Sequence, residues 1–377
     1  MKKKILFVTN NMIGGGAEKI LQVIVTNIYK KYDISICSLH EPKNLDNWPP
    51  EVKYYSIFKH NHKNVLERFL CLVGNKVKLL IYDKLPASIF YRCFVRGSYD
   101  TEIAFIEGYA TRIVGSSTNS KSRKLAWLHT DMYNNHWSTI SYRNIEEERR
   151  IYSRFDRIVG VSKGVADSIT RLYPELNDTM VIYNPIDEKL IQKKATQKVV
   201  LDGDDNAFRL ISVGRLVPEK GYDRLIPIIK ELYQEGYNVQ LYIIGDGSER
   251  EKLDKIIHDL SLENKVFLLG FNENPYPYIK QCDAFVSSSR IEGLSTVIVE
   301  ALILGIPVVA TDCAGMKELM GPNSEYGIVV ANNCRSLKNG IISILNPTVY
   351  SEYKQMAKDR GNNFKLDKLL AEFEQTI

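Results

Sequence analysis

The sequence of 377 residues contains no cysteine pair at CxxC spacing. Its cysteines (Cys37, Cys71, Cys93, Cys282, Cys313 and Cys334) are scattered, most of them in apolar surroundings. That pattern predicts buried, reduced thiols and excludes a disulfide framework. The histidines show no HExxH or other ligand spacing, so no structural or catalytic metal is expected. No stretch reaches the roughly 20 apolar residues that cross a bilayer; the longest candidates are interrupted by Asn75, Lys76 and Lys78, or by Glu300. The start, MKKKILFVTN, is basic and then apolar, but its apolar run is too short for a signal-peptide core. These absences lead us to expect a cytosolic protein. Internal repeats and low-complexity tracts are also missing.

What is present is an uneven charge. Residues 1–190 hold 28 lysines and arginines against 20 acids, whereas the remainder holds 22 against 25. The excess gathers in 59–96, with eight basic and two acidic residues interleaved with Phe, Leu, Ile and Tyr. Two readings are open for this segment. It suits a surface that touches anionic lipid headgroups, and equally a helix pair that packs its apolar faces while its lysines are solvated.

Apolar runs at strand length alternate with helically periodic segments along the whole chain. In the first half, strands are predicted at 3–9, 33–39, 101–107, 124–129, 157–162 and 180–184, with helices from near Ala17 and around 143–153 and 163–172. Residues 188–206 lose the pattern and are predicted to be a linker. A second alternation follows, with strands at 208–214, 239–245, 265–270, 284–288, 307–311 and near 327–330. Helices are expected at 221–235, 249–260, 276–281, 295–304 and 334–345. The length favours two cores over one, and strict alternation means parallel sheets covered on both faces. We therefore predict an α/β chain of two Rossmann-like domains facing each other across a cleft. Their expected bounds are 1–187 and 207–350, followed by a helical segment, 351–377, that crosses back to the first domain.

Ligands of open parallel sheets bind beyond the carboxyl ends of the strands, so the residues there carry the functional signal. After the first strand comes GGGAEK, in which Gly14, Gly15 and Gly16 open a helix, a place where backbone N–H groups and the helix terminus attract an anion. This is neither the dinucleotide G-x-G-x-x-G nor the phosphate-cradling G-x-x-x-x-G-K-[ST]. In the second half, VGRLVPEKG places Gly214, Arg215 and Lys220 after a strand; an arginine fork and a lysine point charge there can clamp a diphosphate. IIGDG supplies Gly245 and Gly247, read as a turn that lets a flat or charged group approach the backbone. Glu292 follows another strand, and Gly293, Leu294, Ser295 and Thr296 start a helix whose N–H groups can hold sugar hydroxyls. Glu300, one and a half turns along, can accept from the vicinal hydroxyls of a ribose. Together, Glu292 and Glu300 are read as holders of the sugar and the ribose of one nucleotide-sugar.

With GGGAEK, VGRLVPEKG, IIGDG and SSSRIEGLSTVIVEALILGIPVVATD, the chain resembles the retaining GT-B glycosyltransferases of glycosyltransferase family 4. YDTEIAFIEG and WLHTD resemble the members that build bacterial surface polysaccharides. The resemblance implies a metal-independent hexosyltransferase that moves a hexose or N-acetylhexosamine, from a UDP-sugar, to a lipid-linked (undecaprenyl-diphosphate) saccharide at the inner face of the membrane. It implies retention, with the leaving phosphate assisting deprotonation of the acceptor, and no cofactor. It assigns Arg215 and Lys220 to the diphosphate, Glu292 to the donor sugar, Glu300 to the ribose, the Gly15–Gly16 backbone to the diphosphate on closure, and His129 to the active site. Departures are Ser295, where Pro or Gly is frequent, Lys19 for a frequent Arg, and Pro185 where Gly is common; the first bears on donor-sugar choice. A transferase with a soluble or protein acceptor, and a non-catalytic partner subunit of the same fold, are the alternatives. No nucleic-acid recognition motif is present.

Overall fold

A computed structural model describes residues 2–10, 16–41, 48–59 and 65–377, with the backbone alone for 65–70. The chain divides into two compact units, Met1–Pro185 with Lys368–Ile377, and Ile186–Asp367.

Unit 1 is built on seven strands: β1 Lys4–Thr9, β2 Asp33–His40, β3 Lys53–Phe58, β4 Thr101–Ala104, β5 Arg123–Leu128, β6 Arg157–Gly160 and β7 Thr179–Val181. They lie in the order β3-β2-β1-β4-β5-β6-β7, and every pair is parallel. Five of the six residues of β1 are buried, because helices cover both faces of its sheet. The order reverses direction between β1 and β4, which is where an open parallel sheet exposes a binding crevice at its carboxyl edge. The helix Lys163–Leu172 starts where Ser162 accepts from the N–H of Val165, and Ile145–Tyr152 where Asn144 accepts from that of Glu147.

Unit 2 repeats the plan with six strands: β8 Phe208–Val213, β9 Val239–Ile244, β10 Val266–Gly270, β11 Ala284–Ser287, β12 Val308–Thr311 and β13 Ile328–Val330. They are ordered β10-β9-β8-β11-β12-β13, all parallel, with the reversal between β8 and β11. Its core joins Leu210, Leu241, Ile243 and Val286 of the sheet to Leu225, Ile229 and Leu232 of the helix Tyr222–Gln234 and to Leu337 and Ile341 of the helix Cys334–Leu345.

Several expectations need correction. Residues 188–206, read as a linker, belong to unit 2 and begin with the helix Glu188–Lys194, capped by Asp187 on the N–H of Leu190. Charge had hidden it, since only Ile191 of its apolar residues is buried. The helix Pro347–Gly361 also belongs to unit 2, and of 351–377 only Lys368–Ile377 joins unit 1. There Phe373 stacks on Phe7 at 6.2 Å and tilts against Trp127 at 5.3 Å. Cysteine burial is mixed: Cys37 and Cys282 are buried, whereas Cys93 and Cys334 are exposed; all six are free thiols.

Candidate functional site

The neighbours β8 and β11 lie at the centre of the second sheet, and the segments leaving their carboxyl ends are stitched together. After β8 the chain makes a single 3-10 turn, Pro218–Lys220, and stops at Gly221 with φ +67°. A side chain there is doubly forbidden, because a Cβ would also lie 2.2 Å from the carbonyl oxygen of Ser288. Ser288 Oγ donates to the carbonyl of Lys220 at 2.8 Å, and Arg290 N donates to that of Glu219 at 2.7 Å. Arg224 caps the carbonyls of Ser288 (2.7 Å) and Ser289 (3.0 Å) and reaches Asn332 Oδ1 at 2.6 Å. Arg290 holds Asp223 through two contacts of 2.8 and 2.9 Å, a bidentate fork. Thr311 Oγ1 donates to the carbonyl of Ser289 at 2.5 Å. The backbone from Ser288 to Arg290 is thereby held at each residue in turn.

This scaffold brings together two of the residues singled out from the sequence. Lys220 Nζ forms an ion pair with Glu292 Oε1, the same oxygen to which Ser289 Oγ donates at 2.7 Å. The two side chains are 20% and 12% exposed. Arg215, by contrast, is exposed, and its guanidinium has no partner among the described residues. The glycines nearby have a different reason from the one expected. A Cβ on Gly245 (φ +152°) would lie 1.9 Å from the carbonyl oxygen of Gly214, and one on Gly247 2.5 Å from that of Leu216. These glycines let the loops after β8 and β9 pack backbone to backbone, so the space they free is filled by protein. Gly214 is tight too, with a Cβ 3.0 Å from the hydroxyl of Tyr222.

Beyond Glu292, Gly293 and Leu294 are buried, and Ser295 caps the helix Thr296–Ile303 through its extended backbone, without a side-chain hydrogen bond. Glu300 is 5% exposed inside this helix and accepts from the hydroxyl of Tyr276 at 3.3 Å. Burial first, and then the Glu300 charge, hold the Tyr276 phenol above its usual range. The structure thus gives Glu300 a tyrosine partner that the sequence did not announce.

Unit 1 holds the other candidates. Gly16 opens the helix Gly16–Ile28, while Gly14 and Gly15 lie outside the described residues. His129 follows β5. Its backbone N–H donates to Oε2 of the fully buried Glu107 at 3.0 Å, and the other oxygen of Glu107 accepts from Trp137 Nε1 at 3.3 Å. The residue as a whole is half-buried, and its Nε2 is shut away from solvent with no hydrogen-bond partner among the described residues. Burial pushes its pKa down to about 3, against a smaller opposing effect of the Phe105 backbone, so the ring is neutral at physiological pH.

Residues 193–363 match the family model described as Glycosyl transferases group 1. The matched stretch takes in Arg215, Lys220, Glu292 and Glu300, together with most of the residues read from sequence as a linker. Over 93% of this chain and 92% of its own, the sequence is 27% identical to N-acetylgalactosamine-N,N'-diacetylbacillosaminyl-diphospho-undecaprenol 4-alpha-N-acetylgalactosaminyltransferase of Campylobacter jejuni. A crystal structure of Anabaena Alr3699/HepE in complex with UDP and glucose covers 99% of both chains with a TM-score of 0.75 at 22% identity. Sucrose-phosphate synthase from Thermosynechococcus elongatus covers 99% of this chain and 98% of its own with a TM-score of 0.76 at 15% identity. With the two parallel sheets described above, these likenesses give the chain the GT-B fold.

The sequence missed Arg224, Arg290, Asp223 and Asn332. Each of them acts through a partner 42 to 108 residues away, and such a pairing leaves no local pattern.

Proposed function

We propose that this protein transfers a hexose or N-acetylhexosamine from a UDP-sugar to a lipid-linked saccharide in surface-polysaccharide synthesis. The observation that carries this reading is the ion pair of Lys220 and Glu292 on the segments that leave the carboxyl ends of β8 and β11, within the stretch that matches the Glycosyl transferases group 1 model. The leaving group of such a reaction is a nucleoside diphosphate, so negative charge grows on phosphate oxygens. Arg215 and Lys220 are cations suited to receive it without a metal ion. Glu292 accepts from a hydroxyl of the sugar and Glu300 from the ribose, and the N–H groups at the start of the helix Thr296–Ile303 complete the cradle. We assign no proton transfer to His129, because its Nε2 is shut away from solvent; the acceptor proton goes to the leaving phosphate. The Campylobacter relative is named for an alpha linkage on an undecaprenol-diphosphate acceptor. An alpha product from an alpha-configured donor is transfer with retention.

Support for the lipid-linked acceptor comes from unit 1. In the helix Val65–Lys84, Leu72, Val73, Val77, Leu79 and Leu80 are 45–58% exposed. At 3.6 residues per turn they share one side of the helix with the exposed Lys76 and Lys84. Arg143 donates to the carbonyls of Asp83 (3.1 Å) and Leu85, which holds the exposed Ile140 and Ile145 beside the end of this helix. An apolar stripe edged with lysine fits an anionic headgroup surface. No helix among the described residues is long and apolar enough to cross a membrane; the association we propose is peripheral, at the cytoplasmic face. Lys78 does not belong to that surface: it turns inward to the carbonyl of Ile57 at 2.6 Å, and burial lowers its pKa.

The deciding assay follows UDP release from UDP-glucose, UDP-galactose, UDP-N-acetylglucosamine and UDP-N-acetylgalactosamine, with undecaprenyl-diphosphate saccharides, with short soluble saccharides and with neither, in chelator. Release that depends on the lipid acceptor and survives chelator is the expected result, with an alpha linkage in the product. Release that is equal on soluble acceptors would replace the lipid-linked reading. No release from any nucleotide-sugar would overturn the assignment.

A further inference from the structure

The donor reading gives Lys220 the diphosphate and Glu292 the sugar, yet in the structure these two groups hold each other. Ser289 Oγ braces the same oxygen of Glu292, and Ser288 Oγ braces the backbone of Lys220. If the ion pair opens, the carboxylate keeps one donor and its place, and only the lysine side chain has to swing. Arg215 is the cation left unengaged.

We propose that Glu292 is an internal stand-in for the diphosphate, and that donor binding and product release run through an exchange of Lys220 between the two. The inference rests on the nucleotide-sugar reading and adds a coupling to it. Arg215 meets the incoming diphosphate first. The diphosphate carries more charge than a single carboxylate and draws Lys220 Nζ away from Glu292. A carboxylate that is only 12% exposed and has lost its cation needs new donors, and the hydroxyls of the donor sugar supply them. The exchange is therefore complete only when diphosphate and sugar arrive on one molecule. After transfer the sugar is gone and UDP remains; Glu292 is again short of a donor, reclaims Lys220, and loosens the product. The same pair thus favours UDP-sugar over UDP, the direction a turning-over enzyme needs.

The test measures equilibrium binding of UDP, and of the UDP-sugar that supports UDP release, to wild type, Glu292→Gln, Lys220→Met and the double variant, each first checked for a cooperative melt. Glu292→Gln should bind UDP about threefold to tenfold more tightly than wild type, the scale of a partly screened charge pair, while gaining nothing for the UDP-sugar. On the Lys220→Met background, Glu292→Gln should change UDP affinity less than twofold. An equal gain on that background would show simple repulsion between Glu292 and phosphate, and the exchange would fall. Unchanged or weaker UDP binding by Glu292→Gln would overturn it as well, showing that Glu292 orients Lys220 and does not compete for it. Wild type alone gives a readout that survives misfolding of any variant: UDP must bind more weakly than the UDP-sugar, and equal affinities refute the exchange. Wild type that binds neither UDP nor any UDP-sugar would remove the donor reading and the exchange together.

Discussion

The hydroxyl of Tyr276 donates to Oε1 of Glu300 at 3.3 Å, across 24 residues of sequence. Glu300 is thus held in part by a side chain from a distant segment. Replacing Tyr276 with Phe removes one hydrogen bond to a charged group and leaves the ring in place. Donor KM should rise about threefold to tenfold with kcat unchanged, the range expected for one such bond. Glu300→Gln should raise donor KM further, again with little effect on kcat, because a ribose contact is made equally in ground and transition states. A fall in kcat for either variant, with KM constant, would contradict the ribose role.

The two cations should separate on stability. Arg215→Ala and Lys220→Ala are each expected to lower turnover by about 10²-fold or more, because each removes a preorganised charge from the leaving group. Arg215 is exposed and unpartnered, so its loss should leave the melting temperature within about 1 °C. Loss of Lys220 strands the half-buried Glu292 and should lower it measurably. Calorimetry on both variants checks the contrast, and near-normal turnover in either would remove that residue from the clamp.

His129 makes a prediction about acid. Its folded pKa is about 3, below the ordinary histidine value of 6.5. Between those values the unfolded chain binds a proton that the folded chain does not, so this residue withdraws stability as pH falls below about 6.5. His129→Gln should therefore melt with a flatter pH dependence between about 6.5 and 4 than wild type. Equal slopes for the two proteins would show that the imidazole charges freely in the fold.

The apolar stripe of the helix Val65–Lys84 should dock on anionic vesicles at low salt. Leu72→Asp with Leu80→Asp should abolish sedimentation with phosphatidylglycerol-rich vesicles. Lys76→Glu with Lys84→Glu should weaken it in proportion to the roughly 1 kcal/mol that each basic residue contributes near such a surface. Lys78→Glu should instead destabilise the fold, since that lysine is tied to the carbonyl of Ile57. Wild type that stays in the supernatant at low salt would end the membrane reading.

Much of this architecture was legible because a parallel sheet buried on both faces leaves a repeating mark: apolar runs such as those of β1 and β9, with the helices 163–172, 276–281 and 334–345 falling where periodicity put them. β3 escaped because it sits at the edge of the sheet, with only Ile57 and Phe58 buried, and reads as ordinary surface. The short helices Tyr109–Val114 and Met316–Met320 span less than two turns and carry too few residues to show a period. In the site, Arg215, Lys220, Glu292 and Glu300 were visible because they lie just past strands or interrupt an apolar helix. Glu107 and Tyr276, which hold His129 and Glu300, were not singled out as partners, because a hydrogen bond between distant segments leaves no local pattern. Gly245 and Gly247 were noticed for the wrong reason: a glycine that spares room for a ligand and one that spares room for a neighbouring carbonyl look the same in sequence.

The stacking of Phe373 on Phe7 has a consequence for how the chain can be made. The first unit is discontinuous, and its final piece, Lys368–Ile377, is synthesised only after all of the second unit. While the ribosome works through that intervening stretch, Phe7 and Trp127 wait without the ring that covers them. The N-terminal half is thus a nascent intermediate with an open apolar flank, the kind of surface a chaperone holds. Residues 1–185 expressed alone would present that same flank permanently.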